Sequence, residues 1–155
     1  MSTLLPNKVK TIIIHTTDSY YGDVATVDKW HKDRGWNGIG YHYLITNCFR
    51  THYAWDLKRP EIHFDGMVHE GRPKNVIGAH AKGNNYRSIG VALVGKGGAF
   101  TSKQLHSARD LCLDLMTEFT NVEEILGHYE VTDQKTCPDL DMSWFNSFVN
   151  GLKVK

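Results

Sequence analysis

VKTIIIH, from Val9 to His15, is a short run of β-branched and apolar residues that ends on a histidine. Its length suits a strand, and its lack of polar alternation predicts burial on both faces, as in the middle of a sheet. The surrounding chain supplies elements to cover it. Asp23 stands as an N-cap for a helix running to about Arg34, with Val24, Val27, Trp30 and His31 on one face and Gly35 at its stop. Tyr41 to Thr46 and Ser88 to Val94 (SIGVALV) are expected to be further strands. Thr101 with Gln104 forms a capping box. The helix it opens carries an apolar stripe of period 3.6 through Leu105, Ala108, Leu111, Cys112, Leu115, Met116 and Phe119. A short strand near Glu124 to Leu126 follows. An amphipathic helix after Asp141 is expected to turn Trp144, Phe145, Phe148, Val149 and Leu152 inward.

Strands interleaved with helices predict an α/β fold, with one mixed central sheet flanked by helices. The 155 residues contain no repeat, linker or low-complexity tract, so a single domain spanning residues 1–155 is expected. Residues 47–65, NCFRTHYAWDLKRPEIHFD, fit this order least well and are expected to form an insertion, either an extended hairpin or a long surface loop.

Composition narrows the function. Eighteen basic residues against seventeen acidic ones give a net charge of +1, unlike proteins that hold nucleic acid by counterion release, so no nucleic-acid partner is expected. No stretch approaches the ~20 apolar residues that span a bilayer, so no membrane partner is expected either. MSTLLPNKVK lacks the basic and apolar regions of a signal peptide, which places the protein first in a cytosol. Three cysteines, Cys48, Cys112 and Cys137, are an odd number in a reducing compartment and argue against a disulfide framework. Nine histidines make a metal worth seeking.

His15 closes the first strand, His128 follows the strand near Leu126, and Cys137 lies nine residues beyond it in a loop ended by Pro138. Imidazole and thiolate are ligands that Zn²⁺ prefers, and three protein ligands with an open fourth position mark a catalytic site. The spacing alone carries no local motif. On the residues alone, strand-end histidines and a buried cysteine stand as the alternative.

Four ordered blocks decide more: IIIHTTDS (12–19), WHKDRGWNGIGYHY (30–43), GAHAKGNNYRSIGVALVG (78–95) and GHYEVTDQKTCPD (127–139). Together they resemble the type 2 N-acetylmuramoyl-L-alanine amidases, in particular the short podovirus endolysins, whose fold is shared by animal peptidoglycan recognition proteins. The resemblance covers nearly the whole chain apart from residues 47–65. It implies a Zn²⁺ cofactor held by His15, His128 and Cys137, with Tyr41 and Lys135 completing the active site. It further implies peptidoglycan as substrate, cleaved between N-acetylmuramic acid and L-alanine. A bound zinc ion acidifies water from a pKa of ~15.7 to ~7 and polarises a carbonyl. The phenol of Tyr41 and the ammonium of Lys135 suit an oxygen that becomes negative.

The chain departs from the phage pattern at VTDQKTC, which has one more residue between the second histidine and the cysteine. Lys135 still stands two before Cys137, so the extra residue is expected to be tolerated, with Asp133 as a competing ligand the lesser alternative. The resemblance also implies an RNA polymerase as a second partner. The lack of a signal peptide fits a lysis enzyme held in the host cytoplasm until the membrane is permeabilised, and a monomer is expected. A peptidoglycan receptor without catalysis is the rival reading, opposed by the presence of Cys137, Tyr41 and Lys135 together.

Other polar residues divide between roles. His80, in the GAHAKGNN turn, is expected to touch substrate. Asn85 in the same turn is a substrate-binding candidate, with a left-handed turn residue as an equal alternative. His42 is expected to be structural, His31, Trp30 and Trp36 to pack, and Cys112 to be an inert core thiol. Arg50, Lys58 and Arg59 are expected to form a solvated face.

Overall fold

The computed structural model describes residues 1–133 and 136–153. Its strands are β1 (Thr11–Thr16), β2 (Tyr43–Ile45), β3 (Val68–Glu70), β4 (Ser88–Leu93) and β5 (Glu124–Gly127). Its helices are α1 (Val24–Asp33), α2 (His52–Asp56), α3 (Ser102–Glu118) and α4 (Met142–Lys153). The strands form one five-stranded sheet in the order β3-β2-β4-β1-β5. β1 pairs in parallel with both β4 and β5, β2 pairs in parallel with β4, and only the edge strand β3 runs antiparallel. The expected α/β class with a mixed central sheet is what is found.

Burial of β1 on both faces follows from its neighbours: all six of its residues are buried. Ile12 and Ile14 join Ile89, Val91 and Leu93 of β4 on the face covered by α3 and α4, against Ala108, Cys112, Leu115, Phe145 and Val149. Leu44 and Ala92 lie on the opposite face, which packs on Val27 of α1 and on Ile39. β4 therefore alternates large side chains toward α3 and α4 with the small Ser88, Gly90 and Ala92 toward α1. Those small residues leave room beneath α1, and histidines fill it.

Asp23 caps α1 through the Thr26 N–H at 2.8 Å, and Gly35 takes a left-handed φ of 86° just past its end, as its position required. The Thr101–Gln104 capping box is also present. Gln104 does more than cap: its fully buried amide donates to the carbonyls of Ile45 (3.1 Å) and Val94 (2.8 Å), tying α3 to the sheet.

Three expectations need correction. Residues 47–65 form neither a hairpin nor a plain loop. Thr51 caps the short helix α2, and a 3-10 turn at Ile62–Phe64 follows. Arg50 does not simply face solvent, since it lies over the Phe64 ring at 4.1 Å and pairs with Glu61 at 3.1 Å. On α4, Met142, Phe145 and Val149 take the inward positions at helical spacing, while Trp144 is 45 % exposed and stacks on Phe148 at its flank. The side chain of Leu152 lies outside the described residues. No described helix is long and apolar enough to cross a membrane.

Candidate metal centre

Elements remote in sequence end at the same edge of the sheet. β1 delivers His15 from its penultimate position, and β5 runs straight into the 3-10 turn His128–Glu130. Because β1 and β5 are parallel neighbours, their C-terminal ends lie side by side. The following loop returns Cys137, whose carbonyl accepts from the Tyr129 N–H at 2.8 Å. The Thr16 N–H donates to Cys137 Sγ at 3.3 Å. One donor atom from each of His15, His128 and Cys137 then lies within 4.8 Å of the others. Among the described residues this is the only such group of three or more metal-binding side chains. Asp133 lines the adjoining cleft but is not part of it.

Electrostatics suit a cation here. Burial, then the neighbouring His80 and His128, hold the His15 pKa well below the usual imidazole range. Burial also lowers that of His128. Both rings are thus neutral near pH 7 and keep a lone pair for a metal. Burial pushes the Cys137 thiol up to about 11, although the Thr16 N–H opposes it. A divalent ion is the partner that would take the proton's place on that sulfur. Two imidazoles and one sulfur with a fourth side left open fit zinc by donor type and number.

Tyr41 is half-buried beside this group, its ring centroid 5.1 Å from that of His15. Burial, then the adjacent Cys137, raises its phenol pKa, so it carries its proton throughout the neutral range. Lys135, the other expected active-site residue, lies outside the described residues.

His80 is 8 % exposed, with Nδ1 2.9 Å from His15 Nε2 and Nε2 3.4 Å from Ser88 Oγ. Asn85 spends its carboxamide oxygen on the backbone N–H groups of His80 (2.9 Å) and Ala81 (2.8 Å), shaping the turn that carries His80. Both residues line the cleft. His42 is fully buried; its Nδ1 accepts from the Gly90 N–H at 3.0 Å, and its Nε2 lies 2.8 Å from the Val76 carbonyl. That is the structural role expected of it. Burial pushes the Cys112 thiol up to about 12, which keeps it inert.

Two adjoining hollows, of about 640 and 660 Å³, run past the centre and share Trp36, Ala79, His80, His128 and Asp133. Trp36 packs on His31 as expected, their ring centroids 4.6 Å apart, but it is also 40 % exposed and lines both hollows, which packing alone did not predict. The turn at Gly35 throws it out of the α1 stripe, and that turn was the available signal.

His31 holds the segment that carries Tyr41. Its Nδ1 accepts from the Gly40 N–H at 2.8 Å, and burial, then Arg34 and Arg72, lower its pKa to about 4. The unfolded chain binds this proton near pH 6.5 and the folded chain only near pH 4, so stability should fall as pH drops through that window. The contribution of His31 approaches ~1.4 kcal/mol per pH unit. Urea unfolding between pH 7 and 4.5 should show a shallower loss for His31→Gln than for wild type; identical slopes would contradict the assignment.

Residues 5–139 match the family described as N-acetylmuramoyl-L-alanine amidase. The chain belongs to that family. Among its relatives, the endolysin of Escherichia phage T7 is 36% identical over 141 residues, covering 84% of this chain and 81% of the relative. Peptidoglycan-recognition protein SC2 of Drosophila melanogaster is 30% identical over 149 residues, covering 88% and 71%. Among solved structures, the endolysin amidase LysCS from Clostridium intestinale superposes with a TM-score of 0.76 at 27% identity, covering 97% of this chain and 91% of that one. The family and the sheet therefore agree, and the His–His–Cys group sits in the cleft of an amidase-type domain.

Proposed function

We propose that this amidase-family chain hydrolyses the amide bond between N-acetylmuramic acid and L-alanine in bacterial peptidoglycan, using zinc held by His15, His128 and Cys137. The convergence of those three donors within 4.8 Å beside an open cleft carries the reading. Zinc bound there would supply an acidified water and a polarised carbonyl. The chain's own groups supply the rest. The cleft takes the glycan–peptide junction and sets its amide carbonyl against the open side of the three donors. The protonated phenol of Tyr41 donates to the oxygen that gains negative charge. Lys135, two residues before Cys137 in sequence, is assigned to the same oxyanion by the family resemblance.

The physiological role that fits the phage relatives is host lysis, with the enzyme held in the host cytoplasm until the inner membrane is opened. The test is release of free amino groups from purified murein. Release should stop with a chelator and return on adding zinc. Binding to murein without any release would favour a receptor instead.

A further inference from the structure

We infer that His80 is a positioning residue that fixes the tautomer of His15, presenting the His15 Nδ1 lone pair to the ion. This rests on the zinc reading above, but its geometry stands by itself. The Ser88 hydroxyl donates to the Asn84 carbonyl at 2.8 Å, so its proton is committed and only its lone pairs face His80 Nε2 at 3.4 Å. His80 Nε2 therefore carries the hydrogen, and the neutral ring has its lone pair on Nδ1. That lone pair lies 2.9 Å from His15 Nε2, which must then be the protonated nitrogen of His15. Nδ1 of His15 is left as the ring's only acceptor. The reverse order would set two lone pairs against each other at Ser88 and place a hydrogen on the His15 nitrogen that the ion needs.

The fold is cut to hold this relay. A Cβ built on Gly90 would lie 2.6 Å from His80 Cγ, and one on Gly78 would lie 2.6 Å from His80 Cδ2, so two glycines form the slot for the ring. Asn85 fixes the turn from which His80 enters. Metal-bound histidines commonly donate their second N–H to a carboxylate or carbonyl, and losing that partner typically weakens metal binding ~10–100-fold. Here a second imidazole takes that part, and a hydroxyl bound to a carbonyl sets its direction.

The experiment uses the full-length chain, first metal-free and then loaded with zinc. Long-range ¹H–¹⁵N spectra of ¹⁵N-histidine-labelled wild type should show His15 as the Nε2–H tautomer before any zinc is added. Zinc affinity, read by competition with a chromophoric chelator, should fall ~10–100-fold in His80→Ala. His80→Asn, whose Oδ1 can accept where Nδ1 stood, should recover most of the loss. Ser88→Ala should raise the Nδ1–H fraction of His15 with less disturbance of packing. An Nδ1–H tautomer of His15 in metal-free wild type overturns the inference. So does an unchanged zinc affinity in His80→Ala. If the tautomer is as stated and wild type takes up no zinc, the zinc reading fails and the relay stands.

Discussion

Cys137→Ser is expected to abolish retention of zinc and to cut amide cleavage by roughly 10³-fold or more, while the chain still folds. Cys137 is half-buried in a loop, and its sulfur is held by the Thr16 N–H at 3.3 Å. A serine hydroxyl can keep that contact, so the sheet has no reason to move. The change falls on the donor set, because a hydroxyl does not yield its proton to the ion as a thiol does. Circular dichroism checks the fold, elemental analysis the metal, and amino-group release the activity. A variant that keeps wild-type release in the presence of chelator would contradict the assignment.

Tyr41→Phe is expected to keep zinc and lose ~10²–10³-fold in kcat, the usual cost of removing one donor to a developing oxyanion. The ring packs 5.1 Å from His15 and 5.2 Å from His31, and phenylalanine preserves both contacts. Only the hydroxyl is lost. Because burial keeps the phenol protonated, the loss should be uniform across the neutral pH range, with KM little changed. A drop in zinc content, or a KM effect alone, would assign Tyr41 to holding the site or the substrate instead.

Much of the fold was legible because local chemistry and tertiary demand agree there. The β-branched run before His15, the Asp23 cap and the Thr101–Gln104 box each specify an element without long-range help. Residues 47–65 resisted because their order comes from contacts across the segment. Tyr20 from a preceding loop stacks on Trp55 at 4.6 Å, and Lys58 covers that ring at 3.3 Å. No periodic pattern encodes such pairs. Trp144 was misplaced because it sits at the border of the apolar stripe, where helical spacing alone does not choose the side.

At the centre, residue types pointed to a metal, yet only strand order could bring them together. β1 and β5 are separated by more than a hundred residues and become neighbours through the sheet. The relay through His80 was hidden for a related reason. SIGVAL carries its small residues on alternate positions, but the ring they accommodate comes from the turn before that strand.

X-ray absorption at the zinc edge of the purified full-length chain tests the central claim most directly. The expected spectrum shows one sulfur scatterer at ~2.3 Å and two imidazole nitrogens at ~2.0–2.1 Å, with a further light atom completing four-coordination. A shell of oxygen and nitrogen without sulfur, or a protein that takes up no zinc, would contradict it.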